Sequence, residues 1–257
     1  MLELCDIYKT FNRGTVNEQT LFSGFSLKVE QGDFISVVGS NGSGKTTMLN
    51  VIGGSIPIDG GKVILDGRDI TKLPEFKRSA KIGRVFQDPS VGTVPRMTIF
   101  ENMSIAENKG KPYGLSFAVG KKKLDRFRES VRELDLGLED KMDIPVGLLS
   151  GGQRQAIALL MATMTPISFL ILDEHTAALD PKTAEIIMKI TDRIVKEKNL
   201  TAVMVTHNLR YAVEYGNRML MLHHGGIVLE KQGIAKTETT VDDLLSVFNS
   251  ISIECGN

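Results

Sequence analysis

The residues Gly39-Ser40-Asn41-Gly42-Ser43-Gly44-Lys45-Thr46-Thr47 have the types and spacing for one kind of chemistry, the holding of phosphate. Glycines let backbone N–H groups turn inward around phosphate oxygens, and the N-terminus of a following helix adds positive potential. Lys45 would reach the β- and γ-phosphates, and the Thr46 hydroxyl would bind Mg2+. The four fixed positions of G-x-x-x-x-G-K-[ST] arise by chance in roughly 1 in 100 chains of this size. The flanks lower that chance further, because Phe34–Val38 reads as a strand and Lys45–Ile52 as a helix, the context such a loop requires. A nucleotide site is implied. What its hydrolysis would drive is not.

A second motif, Leu149-Ser150-Gly151-Gly152-Gln153, leads into the helix-compatible stretch Gln153–Met164. Its two glycines and serine make another anion-binding helix N-terminus. Taken alone, a loop with a Ser N-cap accounts for it. Five fixed residues arise by chance in roughly 1 in 3,000 chains, and the bland account does not explain why a phosphate loop accompanies them.

On these motifs the chain resembles the ATP-binding subunits of ABC transporters, and the likeness runs over nearly its whole length. The resemblance implies an α/β fold: a P-loop NTPase, RecA-like core with a mostly parallel sheet, an N-terminal antiparallel β subdomain and an ABC-type helical subdomain. A single ABC ATPase domain is expected over 1–257. Residues 1–87 and 166–230 would form the β subdomain and core, 88–165 the helical subdomain with the signature loop, and 231–257 a tail with a short helix. ATP and Mg2+ are the implied cofactors, and a second copy of the chain is the implied partner. Ser150, Gly151, Gly152 and Gln153 of one copy would contact ATP held by Gly39–Thr47 of the other.

The same resemblance assigns further residues. Phe169-Leu170-Ile171-Leu172-Asp173-Glu174 matches the family's apolar strand ending in an acid pair. Asp173 would support Mg2+, and Glu174 would polarise the attacking water as general base. Gln87, in Val85-Phe86-Gln87-Asp88-Pro89, falls where the family has a glutamine that ligates Mg2+ or orients water at a hinge. His207 resembles the switch histidine that contacts the γ-phosphate. Phe11 is the expected platform for the base, with Tyr8 its rival. Stacking does not separate ATP from GTP, and the family favours ATP.

After the acid pair many members read Pro-Thr-Ser-Ala-Leu-Asp, whereas this chain reads His175-Thr176-Ala177-Ala178-Leu179-Asp180. Ala177 removes a hydroxyl from a loop that touches the opposite subunit. His175 adds a titratable ring beside Glu174 in sequence, where it could bias the water or the dimer contact. A tolerated surface variation is the plainer account.

Secondary structure must carry these residues into place. Residues 1–33 alternate apolar and polar positions (Leu2, Leu4; Phe25, Leu27, Val29) and read as strands with hairpin-like connections. Residues 61–70 suit a small hairpin turning at Asp66-Gly67. From Phe100 to Leu149 the stretch reads as mostly helical, with Leu124, Phe127, Val131, Leu134 and Leu138 at roughly helical spacing and Lys121-Lys122-Lys123 at a solvated helix start. A strand at Phe169–Asp173, a helix from about Pro181 to Lys198 behind the N-cap Asp180, and a strand at Ala202–Thr206 follow. Apolar strands alternating with helices indicate a mostly parallel sheet covered on both faces.

The 257 residues, 42% of them hydrophobic, suffice for a sizeable core. With 31 basic residues against 31 acidic ones, no global field holds nucleic acid, and no nucleic-acid partner is expected. Cys5 and Cys255 lie at opposite ends and could pair only if the termini met; a reducing cytosol fits. The longest uncharged run, Ala156–Leu172, is short, polar in places and broken by Pro166, so it reads as a buried helix and strand rather than a membrane span. No secretory signal is read at the start. The expected location is cytoplasmic, peripheral on the inner face of the cell membrane.

A subunit of this kind passes its motion to others: transmembrane permease subunits and, indirectly, an extracytoplasmic substrate-binding protein. The expected function is ATP-driven solute import. The stretches Lys9–Asn17 and Asp173–Thr183 resemble a subgroup associated with uptake of organic solutes, aromatic amino acids among them. The grip on the permease is placed around Gln87–Met103, including Pro89, Pro95 and Arg96. An efflux or lipoprotein-release ATPase is the alternative. A DNA-associated ATPase is disfavoured by the compact, Cys-free interval between the two motifs. The roughly 50 residues after His207 leave little room for an appended regulatory β-domain.

Overall fold

The computed structural model describes residues 1–110 and 121–254. The first elements are β1 (Leu2–Phe11), β2 (Gln19–Val29), β3 (Phe34–Gly39), α1 (Lys45–Gly53), β4 (Gly60–Leu65) and β5 (Arg68–Asp69). Next come α2 (Glu75–Arg78), β6 (Ile82–Val85), α3 (Ile99–Glu107), α4 (Lys121–Arg132), α5 (Gly151–Thr163), β7 (Phe169–Asp173) and α6 (Pro181–Glu197). The chain ends with β8 (Ala202–Val205), α7 (Leu209–Glu214), β9 (Arg218–His223), β10 (Gly226–Gln232), α8 (Ile234–Thr237) and α9 (Val241–Glu254). They fall into two compact units, Met1–Glu75 with Asn199–Asn257, and Phe76–Lys198.

In the first unit, β1 and β2 form a long antiparallel ladder running from Leu2 opposite Val29 to Phe11 opposite Gln19. β4 pairs on the other side of β1, which gives the order β2-β1-β4-β5. The period-2 pattern explains this sheet: Leu2, Leu4, Leu27 and Val29 are buried while alternate residues are not. Asp66 and Gly67 both take positive φ (51° and 74°), as a two-residue type I′ hairpin turn demands, and join β4 to β5 as the sequence suggests. The other sheet of this unit places β9, β3 and β8 in parallel, with β10 antiparallel to β9. Every residue of β3 and β8 is buried, so continuous apolar runs mark these strands. Val38, Met219 and Met221 pack with Ala212 of α7 and Leu244 of α9. Arg218 is a buried cation tying the edge together: it pairs with Asp33 at 3.1 Å and Glu230 at 2.6 Å and donates to the Lys28 carbonyl at 2.7 Å.

In the second unit β6 and β7 run parallel, with Val85 opposite Leu172. Helix α5 is buried nearly all round, from Gln155 to Leu160 without a break. Helix α6 is amphipathic and starts at Asp180, whose carboxylate accepts the Thr183 N–H at 3.1 Å and is held below the usual carboxylate range by Thr183. The spacing of Leu124 to Leu138 is not one helix: α4 stops at Arg132, and the buried Leu134 and Leu138 are delivered by a turn in which Asp135 and Gly137 take positive φ. Strand β6 and the β9–β10 hairpin have no counterpart in the sequence reading. Cys255 lies outside the described residues, and Cys5 is a free thiol.

Candidate functional site

The Gly39–Thr47 loop leaves the end of buried β3 and enters α1, as its motif requires. Three glycines carry backbone shapes a side chain would oppose: Gly39, Gly42 and Gly44 all have positive φ (153°, 77° and 104°). Gly39 is also pressed on its neighbour, since a Cβ there would lie 2.2 Å from the Leu222 carbonyl oxygen. Lys45 is buried and its ammonium donates to the carbonyls of Gly39 (2.7 Å) and Ser40 (2.9 Å), which closes the loop on itself. The first turn of α1 aims N–H groups that the helix cannot satisfy, and the buried Ser43 hydroxyl has no hydrogen-bond partner. Ser40, Asn41, Gly42 and Thr46 are exposed and Thr47 half-buried. A backbone cradle with an internal cation is what a polyphosphate needs.

Parallel register fixes what stands beside this loop in the same unit. β3 and β8 pair up to Val37 opposite Val205, and Thr206 donates to the Val37 carbonyl at 3.1 Å. His207 therefore emerges, exposed, at the edge from which the phosphate loop departs. Asn208 caps α7 directly behind it. Phe11 ends β1, half-buried, with the Lys9 ammonium 5.3 Å from its ring. Tyr8 is 47% exposed and its ring lies against Gly24 and Gly60. The rival thus already has a packing surface in its own sheet.

In the second unit the same logic applies to β6 and β7. From the pair Val85–Leu172, two further residues on each strand bring Gln87 and Glu174 to one edge. Glu174 has φ 48°, an uncommon backbone state for a residue with a Cβ, and its carbonyl accepts the Ala177 N–H at 2.9 Å. Asp173 is half-buried and receives Arg84 Nη2 on Oδ2 at 2.7 Å. Gln87 is exposed and Asp88 behind it accepts the Ser90 N–H at 2.8 Å, which keeps the Asp88 carboxyl below its usual range.

His175 is neither a surface variation nor a neighbour free to titrate near neutrality. Its ring is 1% exposed, with Nε2 3.0 Å from the Thr191 hydroxyl of α6. That hydroxyl donates to the Ile187 carbonyl at 2.8 Å, so Nε2 carries the proton and donates. Nδ1 is buried without a partner, and burial pulls the ring pKa down to about 4. Ala177 is exposed.

Ser150 caps α5 through a capping box: its hydroxyl accepts the Gln153 N–H at 3.3 Å, and the Gln153 side chain accepts the Ser150 N–H at 3.2 Å. Gly151 is exposed, and a Cβ on it would meet Leu179 at 3.3 Å. Gly152 is buried, and a Cβ there would lie 2.1 Å from Thr183 Cγ2. The second glycine of the motif thus lets α5 approach α6.

The family model for ABC transporters matches residues 22–177. The chain belongs to the ABC transporter family. It is 44% identical to a tyrosine transport ATP-binding protein of Clostridioides difficile, over 96% of this chain and 98% of that protein. It is also 34% identical, over 91% of its length, to a macrolide export ATP-binding/permease protein of Syntrophobacter fumaroxidans, of which it spans 32%. Among solved structures, an ATP-binding cassette captured as a dimer after hydrolysis, bound to ADP and Pi, superposes with a TM-score of 0.76 at 30% identity, over 90% of this chain and 98% of that one.

The chain is therefore an ATP-binding, ATP-hydrolysing subunit of a transport system, on the P-loop NTPase fold of ABC cassettes. Cassettes of this family dimerise and pair with permease components. No helix among the described residues is long and apolar enough to cross a membrane.

The donor set of the cassette suits magnesium better than metals that need a cage of protein side chains. The described residues hold no group of three or more His, Cys, Asp or Glu that could bind an ion by themselves. The Asp173 carboxylate at the end of β7 is a hard oxygen donor of the kind Mg2+ accepts. The sequence reading missed Arg84 and Thr191, the partners of Asp173 and His175. Arg84 had a signal: it is the one charge in the apolar run Ile82–Phe86. Thr191 had none.

Proposed function

We propose that this ABC ATPase binds Mg-ATP as a homodimer and drives a permease that imports a small organic solute, an aromatic amino acid by the likeness to the tyrosine transport protein. The observation that carries the reading is the glycine-shaped loop closed on the buried Lys45. In this reading Lys45 and the amides of Gly39–Thr47 hold the phosphates, and Phe11 stacks on the base. Thr46, Gln87 and Asp173 would hold Mg2+, which would supply charge neutralisation to the phosphates. Glu174 takes the proton of the attacking water, His207 contacts the γ-phosphate, and Ser150, Gly151, Gly152 and Gln153 of the second copy close over the nucleotide. ATP joins the two copies because part of its binding energy is realised only in the closed dimer; loss of the γ-phosphate contacts lets them part.

The permease contact is assigned to the second unit around Gln87–Met103. Apolar side chains stand exposed there, Val91 at 63%, and the loop is pinned by Asn102, which bonds Val94 through both N–H and C=O. The helical stretch 88–165 would transmit the motion, and membrane attachment would come through the permease. Export is the second reading, favoured by the likeness to the macrolide export protein. Co-purification with candidate permeases, followed by ATPase assay in vesicles with solute on either side, tests both. Stimulation by an external aromatic amino acid and its binding protein supports import. Stimulation only by a solute on the ATPase side overturns it.

A further inference from the structure

In the parallel register of β6 and β7, Arg84 stands opposite Ile171, so Arg84 and Asp173 project from the same face of the pair. Their side chains meet at 2.7 Å and are 13% and 14% exposed, an ion pair largely withdrawn from water. The guanidinium is clamped from a second side, lying 4.7 Å from the centroid of the Phe86 ring. Phe86 is itself held, because its carbonyl accepts the amide of the fully buried Gln155 at 3.0 Å. Arg84 thus bridges the acid at the end of β7 and the residue that precedes Gln87.

We propose that Arg84 competes with a divalent cation for Asp173, so that metal loading requires the guanidinium to be drawn off the carboxylate. The inference rests on the reading of Asp173 as the carboxylate that faces magnesium. A guanidinium cannot lose its charge near neutral pH, and little water is present to screen it from an arriving dication. The guanidinium occupies Asp173 Oδ2, a donor oxygen that the metal shell would otherwise use. Nucleotide phosphates supply the negative charge that tips the balance, so metal and nucleotide enter together.

The probe is Mn2+ titrated into the protein with ADP, free Mn2+ being read by electron paramagnetic resonance. Arg84→Met keeps an apolar stem against Phe86 and removes the charge; it should bind Mn2+ about tenfold more tightly than wild type. Arg84→Lys should stay within about threefold of wild type. Adding Asp173→Asn should erase the gain. Unchanged or weaker Mn2+ binding by a folded Arg84→Met protein overturns the inference, as it would show Arg84 to be idle or an orienting partner. Should that variant fail to fold, nitrogen NMR of the arginine side chains in wild type decides. The Arg84 signals should lose their restraint when Mg2+ and ADP are added, and a restraint that persists overturns the proposal. If wild type does not bind ADP, or Asp173→Asn alone leaves Mn2+ affinity untouched, the failure lies in the nucleotide reading, and the inference falls with it.

Discussion

The loop Gly39–Thr47 is shaped by its own backbone, whereas the segment Asp173–Asp180 is held by side chains that arrive from elsewhere. In the first, positive-φ glycines set the curve and Lys45 bonds carbonyls five and six residues away. In the second, Asp173 is met by Arg84, 89 residues distant, and His175 by Thr191, with Glu174 between them in a strained backbone state. A cradle made of amides can bind the unchanging part of a substrate. In the proposed reading Glu174 acts on one proton, and the residues on either side of it, Asp173 and His175, are held from outside the segment. Substitutions in the two segments should accordingly separate binding from turnover.

The largest effect is expected at Glu174. Glu174→Gln keeps the shape and removes the base, so ATP turnover should fall by about 100-fold to 10,000-fold while ATP still binds. Trapped ATP should hold two copies together, and sedimentation velocity reads this directly. A strictly monomeric ATP-bound variant would contradict the assignment. Lys45→Ala acts on the other segment and reverses the pattern. A charge-assisted bond to phosphate is lost and two loop carbonyls lose their donor, so affinity should fall about 10-fold to 100-fold. Calorimetric titration showing unchanged ATP affinity would refute the cradle.

The contrast also explains what could be read from the chain. The phosphate loop was legible because its determinants are local: glycines where φ is positive, a lysine within reach of its own carbonyls. The strand carrying Asp173 was legible because four apolar residues, Phe169 to Leu172, run straight into an acid. Strand β6 was not, since Gly83 and Arg84 dilute a four-residue strand. Gly83 is there for packing: a Cβ on it would come within 2.6 Å of the Ala162 carbonyl of α5. Arg84 is there for an ion pair whose partner no local pattern names. Leu134 and Leu138 kept a helical spacing outside a helix, because a turn with positive φ at Asp135 and Gly137 buried them as well as another helical turn would have done. For His175 the sequence offered proximity to Glu174, and tertiary packing against Thr191 decided otherwise.

That buried ring gives the acid segment a pH signature the phosphate loop lacks. The ordinary histidine pKa of about 6.5 holds in the unfolded chain, and the folded value is about 4. Between these values the unfolded state binds more protons, so stability is complete above about pH 6.5 and declines as pH falls towards 4. The loss between pH 7 and pH 5 should be about 2 kcal/mol from this group. His175→Gln retains a donor for Thr191 and cannot titrate in this range. Denaturant melts at the two pH values should show that much less acid sensitivity in the variant; equal slopes would mean that the ring is not buried neutral.

The smallest change in stability, and the sharpest division of roles, is expected at Ser150. Its hydroxyl is engaged within the chain as the cap of α5, so Ser150→Ala should cost about 1 kcal/mol whether or not nucleotide ever touches it. Loss of ATP-driven dimerisation in that variant would therefore prove little. Ser150→Asp separates the two roles. Aspartate caps as well as serine does, so the melting midpoint should stay near wild type. A carboxylate placed against the γ-phosphate of a nucleotide held by the other copy should repel it and abolish the ATP-dependent dimer. If Ser150→Asp both melts and dimerises like wild type, the serine is a helix cap and nothing more, and the closing of one copy over the other's ATP must rest on the neighbouring glycine amides alone.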